Sequence, residues 1–159
     1  MAQPGVIDVF LQPGDFFVGD KDFRVRTLLG SCVSITLWHP GARIGAMSHF
    51  LLPGCSKDAE PDARYGNDAL DLMVAGLRAH GVAAAECQAK VFGGGNMFPS
   101  RRSPQAGIGT QNGAAARTLL AGYAIAVRSA CLYGDGHRQI IFDIASGDVW
   151  SRQFKKVKQ

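Results

Sequence analysis

An α+β fold, a layered α/β/β domain, is what this chain of 159 residues predicts, and three observations carry the prediction. Short segments alternate apolar and polar residues, two longer ones hold apolar residues at helical spacing, and glycine-rich turns mark the boundaries between them. The chain has 20 glycines, yet no Pro/Gly/Ser-rich stretch separates two apolar halves and no internal repeat is found. One domain over 1–159 is therefore expected, with flexible ends at 1–5 and 155–159, long enough to bury roughly 70% of its unfolded surface.

In chain order, "VIDVFL" and "DFFVG" read as short strands flanking the Pro13-Gly14 turn. "DFRVRTLL" alternates Phe23, Val25, Thr27 and Leu29 against Arg24, Arg26 and Leu28, the pattern of a strand with one wetter face. Gly30-Ser31 breaks it, and Val33, Ile35 and Leu37 then alternate with Cys32, Ser34, Thr36 and Trp38. "HPGAR" supplies a turn before another apolar strand, "IGAMSHFLLP", so the two should pair as a hairpin. Turning about residues 40 and 41 places Cys32 opposite His49, and a slip of one or two residues leaves them neighbours.

After the polar loop "GCSKDAEPDARYG", Leu70, Met73, Val74 and Leu77 fall at helical spacing between about Asn67 and His80, with Gly81 placed to cap the end. "ECQAKVFGGGNMF" reads as a buried strand entering a glycine-rich turn. A second helix is expected from about Gly107 to Ala121, with Ala115, Leu119 and Leu120 toward the core. Three further strands follow, joined through Gly134-Asp135-Gly136 and Ser146-Gly147-Asp148.

Composition narrows the class. A hydrophobic fraction of 47% and a charged fraction of 19% belong to a globular chain rather than a disordered one. No apolar run nears the roughly 18 residues of a membrane span, and "MAQPGVIDVF" lacks the pattern of a secretory leader, so a cytoplasmic home is expected. Net charge is +4, partly from Arg101-Arg102 and the tail "RQFKKVKQ". Without interleaved aromatics that is weak ground for nucleic-acid binding.

Cys32, Cys55, Cys87 and Cys131 form no C-x-x-C pair, which removes zinc-ribbon and thioredoxin readings, and free thiols are expected. No H-E-x-x-H or clustered ligand spacing points to a metal. "FGGGNMF" matches neither G-x-G-x-x-G nor the P-loop, so its glycines are read as permitting a sharp turn or the close approach of another backbone. No arginine stands six residues after any cysteine, which excludes a cysteine-phosphatase cradle.

Cys32 is open to two readings, a small core hydrophobe or a nucleophile. Its place directly after Gly-Ser, at a strand start facing His49, is one where imidazole can activate a thiol and backbone N–H groups from Ser31 to Val33 can meet an oxyanion. His49, alone in an apolar strand, is otherwise a satisfied core histidine. Cys55, Cys87 and Cys131 lack such a setting. His39 and His137 read as turn residues and His80 as a cation at a helix end.

The segments "LGSCVSITL", "GAMSHFLLP", "VFGGGNMF", "IGTQNGAAARTLL" and "YGDGHRQIIFDIASGDV", in this order, resemble the CheD family, the chemoreceptor glutamine deamidases of bacterial chemotaxis, across about Val6 to Val149. The resemblance implies a cysteine amidohydrolase that converts receptor glutamines to glutamate, with glutamyl methyl esters as further substrates, a CheC phosphatase as partner and no cofactor. It also implies a layered α/β/β sandwich with mixed or antiparallel sheets, similar to deamidating bacterial toxins. Cys32 matches the nucleophile and His49 the general base. The family's third residue is a threonine six positions before the cysteine, where this chain has Arg26, while Thr27 stands five before. One residue inverts the face of a strand; Thr27 is assigned as the residue that orients His49, with a backbone carbonyl or another hydroxyl as the alternative. A non-catalytic adaptor that binds receptors or a phosphatase is the competing reading from another class, and thiol alkylation separates the two.

Overall fold

The computed structural model describes residues 5–54, 60–98 and 107–154. Met1 to Pro4, 155–159, Cys55 and the Arg101-Arg102 pair lie outside them. Nine strands and two long helices form three layers among the described residues, which is the α+β sandwich that the alternation and the helical spacing predict. The strands are β1 (Ile7–Phe10), β2 (Phe16–Gly19), β3 (Phe23–Leu29), β4 (Val33–His39), β5 (Ile44–Ser48), β6 (Gln88–Gly93), β7 (Ala126–Leu132), β8 (His137–Asp143) and β9 (Val149–Phe154). The helices are α1 (Gly66–Ala79) and α2 (Ile108–Gly122).

The five-stranded sheet runs β2-β5-β4-β6-β7 and the four-stranded sheet β1-β3-β8-β9; each contains one parallel pair. The strands flanking the Pro13-Gly14 turn therefore part company, β1 joining one sheet and β2 the other. Strand alternation sorts the core into two sets. Val33, Ile35, Leu37 and Val91 pack under Leu70, Met73, Leu77 and Leu120 of the helices. Val25, Leu29, Ile140 and Phe142 meet Met47 and Phe92 between the sheets. Burial of a Leu, Ile or Phe side chain stabilises by about 1.5–3 kcal/mol before entropy is counted.

α1 ends where Gly81 adopts a φ of +78°, its N–H bonding the Arg78 carbonyl while Val82 bonds that of Leu77, as a glycine C-cap requires. α2 departs from the expected core face. Its buried stripe is Gly109, Asn112, Gly113, Ala116 and Leu120, with Ala115 and Leu119 only half-buried. An apolar-spacing rule does not register a stripe whose first half is glycine and asparagine.

The β4–β5 hairpin forms with a four-residue connection, 40–43, and Arg43 at a φ of +53°. Thr36 pairs with Met47, and Val33 with Phe50. This register lies two residues from the expected one, so Cys32 faces the Leu51 position and His49 the Ser34 position. A slip of two preserves the face. Cys32 and His49 become diagonal neighbours, a separation of roughly 7–8 Å between backbones.

Candidate active site

Strand parity sends the candidate residues to one place. On β4 and β5 the residues that point at the four-stranded sheet include Trp38 and Met47, and Cys32 and His49 share their alternation. On β3 the inward set is Val25, Thr27 and Leu29, while Arg26 is exposed. Thr27 therefore faces His49 across the gap between the sheets, with its Oγ1 2.7 Å from His49 Nδ1. Thr27 is fully buried and His49 is 2% exposed. Cys32, at the sheet's end, is half-buried.

The hydrogen bonds determine the imidazole's tautomer. Thr27 has one proton, which it donates to the Leu11 carbonyl at 2.7 Å. Its oxygen is then an acceptor toward His49, so Nδ1 carries the ring proton and Nε2 is left with its lone pair. The backbone of His49 is held as firmly: its N–H bonds the Asp15 carbonyl at 3.1 Å and its carbonyl accepts from Gly14 at 2.8 Å. The turn between β1 and β2 is thus the frame on which this ring sits.

Burial lowers the His49 pKa from 6.5 to about 4, against a smaller upward pull from Asp15. Burial likewise raises the Cys32 thiol above its ordinary value. At neutral pH both groups rest uncharged. In that state His49 is a neutral imidazole rather than a cation holding a thiolate.

The turn that carries the sulfur is pressed against the glycine loop after β6. Gly94 N–H bonds the Cys32 carbonyl at 3.0 Å and Gly95 N–H bonds that of Gly30 at 2.9 Å. Gly93 sits at a φ of +111°, and a Cβ there would overlap the Cys32 carbonyl oxygen. These glycines serve the close backbone approach expected of them. The expected oxyanion donors need one correction: Val33 N–H bonds the Phe50 carbonyl at 3.1 Å and is not available. The N–H groups of Ser31 and Cys32 have no acceptor among the described residues.

Nothing in the sequence pattern marks two other polar residues at the site. Asn112 is fully buried against the cysteine turn. Arg138, 3% exposed, points inward from β8 and donates to the carbonyls of Gly93, Cys131 and Tyr133. Beside the turn, a groove of about 610 Å³ is lined by Ser31, Met97, Phe98, Ile108 and Tyr133 among others.

The other described cysteines, Cys87 and Cys131, and the other histidines have separate settings. Cys87 is buried, its pKa pushed up to about 11 by burial and by Glu86, and Cys131 is exposed. His39 pairs with Glu86 at 3.2 Å, the His80 ring bonds the Gly76 carbonyl at 2.9 Å, and His137 stacks on Phe154. Among the described residues no group of three or more His, Cys, Asp or Glu side chains is arranged to hold a metal ion, and no helix is long and apolar enough to cross a membrane.

A half-buried thiol on a turn, a neutral imidazole fixed through a threonine hydroxyl, and unclaimed backbone donors beside the sulfur define a candidate thiol hydrolase on an α+β sandwich. A sequence model described as CheD chemotactic sensory transduction matches residues 51–153. A protein of Albidiferax ferrireducens named Probable chemoreceptor glutamine deamidase CheD 2 is 58% identical over 151 residues, covering 92% of this chain and 87% of that one. Relatives with the same description in Dechloromonas aromatica and Pseudomonas savastanoi pv. phaseolicola are 46% and 41% identical, over 90% and 93% of this chain and 85% of each of theirs. The chain belongs to the CheD family.

Proposed function

We propose that this protein is a chemoreceptor glutamine deamidase, a cysteine amidohydrolase that turns selected receptor glutamine side chains into glutamate. One observation carries the chemical part of the reading: Thr27 Oγ1, already donating to Leu11, holds His49 in the tautomer whose Nε2 can accept a proton. His49 Nε2 takes the proton of Cys32 Sγ as the sulfur attacks the carboxamide carbon. The oxyanion that forms meets the N–H groups of Ser31 and Cys32. The imidazolium then gives its proton to the departing nitrogen, releasing ammonia and leaving a thioester. Water, deprotonated by the same Nε2, attacks the thioester, and the thiol leaves with the proton. The balance is one carboxamide and one water consumed, one carboxylate and one ammonium formed.

The chain acts in this reading as one cytoplasmic deamidase domain on the cytoplasmic part of receptors. Glutamyl methyl esters fit the same steps with methanol as leaving group, and a CheC-type phosphatase is its proposed binding partner. The test is incubation with a receptor cytoplasmic fragment and peptide-mass mapping of glutamine-to-glutamate conversion. Wild type should convert specific glutamines, and Cys32→Ala should convert none while keeping its fold. Conversion by the variant at the wild-type rate would reject Cys32 as nucleophile. Receptor binding with no conversion by wild type would favour the adaptor reading.

A further inference from the structure

The Gly30-Ser31-Cys32 turn has three successive carbonyls, the outer two held by the glycine loop and the middle one by α2. Gly95 N–H takes that of Gly30 and Gly94 N–H that of Cys32. The middle one, Ser31, is held by a side chain: Asn112 Nδ2 donates to it at 3.0 Å. The second proton of the same nitrogen goes to the Leu51 carbonyl at 2.9 Å, two residues after His49. Asn112 is fully buried, and its Oδ1 has no partner among the described residues. Both of its neighbours are acceptors, so only this orientation of the amide is compatible with them.

We propose that Asn112 is a positioning residue that fixes the Ser31–Cys32 peptide plane and so aims the Cys32 N–H at the oxyanion. In a trans peptide the carbonyl and the N–H point in opposite directions. Holding the Ser31 oxygen toward α2 therefore directs the Cys32 N–H away from α2, where it has no acceptor among the described residues. Since one nitrogen binds both the Ser31 and the Leu51 carbonyls, it also sets the spacing between the thiol turn and the segment that follows the imidazole. Asparagine suits the position because two acceptors converge on a single point that calls for two protons on one atom. A backbone N–H, a hydroxyl or a carboxylate supplies at most one. Gly109 and Gly113 allow α2 to come close enough: a Cβ at Gly109 would lie 2.6 Å from the carbonyl oxygens of Gly94 and Gly95, and one at Gly113 2.7 Å from the Tyr133 ring.

The inference rests on the deamidase reading, and its test separates the two. Asn112→Asp keeps the shape and removes both protons when ionised. On a receptor fragment, kcat should fall about 100-fold with KM within about threefold of wild type, as for a displaced catalytic group. Iodoacetamide supplies a readout that needs no receptor: the ratio of Cys32 to Cys131 alkylation within each molecule should change in N112D while thermal unfolding stays cooperative. A folded N112D with wild-type kcat and an unchanged ratio would overturn the proposal. N112S, which offers one proton, should fall between the two. If neither variant folds, Asn112 is a stability residue and the assignment is likewise overturned. A wild-type protein that converts no glutamine removes the deamidase reading, yet leaves the alkylation ratio to decide the role of Asn112.

Discussion

His49 is the residue whose surroundings most limit its chemistry. Because burial lowers its pKa to about 4, the native state binds fewer protons than the unfolded chain between that value and 6.5. Stability is then fully present above about 6.5 and is lost as pH falls toward 4. Urea denaturation at several pH values should show this slope in wild type and a shallower one in His49→Gln, and equal slopes would place the titration elsewhere. The same shift moves the acid limb of kcat/KM toward 4, well below the range of a free imidazole; a limb at 6.5 would show that the ring is wetter than its 2% exposure implies. Thr27 touches this ring at Nδ1. Thr27→Val keeps the volume but removes the acceptor for Nδ1–H, and kcat should fall about 10- to 100-fold, with Thr27→Ser recovering most of it. The sequence carried the identity of this residue only in part. Alternation put Thr27 on the inward face of its strand, but its partner on another sheet is a tertiary fact that spacing along one chain does not encode.

Among the elements, α2 reverses its own propensity at the end nearest the site. Alanine in place of a helical glycine ordinarily stabilises by about 1 kcal/mol. At Gly109 the added methyl would strike the backbone of the glycine loop, which cannot yield as a flexible side chain can. Gly109→Ala should therefore destabilise, and it should lower deamidation more than stability alone explains, because the same loop holds the Cys32 turn. Gly122→Ala meets nothing within 4 Å and should stabilise by about 0.5 kcal/mol. The pair, read by thermal unfolding and by glutamine conversion, tests whether packing and not propensity decides the first turns of the helix. The hairpin makes the complementary point about legibility. Turn chemistry located it between β4 and β5, yet a connection of four residues moved the register by two. Cys32 and His49 stay on one face because strand faces repeat every second residue, and the glycine–asparagine stripe of α2 stayed hidden because neither residue is apolar.

The whole molecule is two sheets that must dock before the site exists, since Thr27 belongs to one and Cys32 and His49 to the segments of the other. Apolar side chains fill most of the gap between them. Polar ties cross it too: Trp38 Nε1 to the Ile144 carbonyl at 2.8 Å, Thr27 to His49, and Arg138 from β8 to the loop and strand ends beside the cysteine turn. Among the described residues, buried Arg138 has no carboxylate as a hydrogen-bond partner. Its charge is met by the carbonyl dipoles of Gly93, Cys131 and Tyr133, and its removal takes a charged donor from each, although Tyr133 N–H still reaches the Gly93 oxygen and Gln153 Nε2 the Tyr133 oxygen. Arg138→Met, which keeps an unbranched stem of similar length, should cost about 2–4 kcal/mol by that loss of charged hydrogen bonds. For a chain of this size that corresponds to a fall of roughly 5–15 °C in Tm. Because the Gly93 carbonyl belongs to the loop that grips Cys32, the folded variant should also deamidate more slowly at a temperature well below its Tm. A lowered Tm with unchanged kcat would make Arg138 a bolt between the sheets that the site does not feel; an unchanged Tm would mean that water satisfies the three carbonyls as well as the guanidinium does.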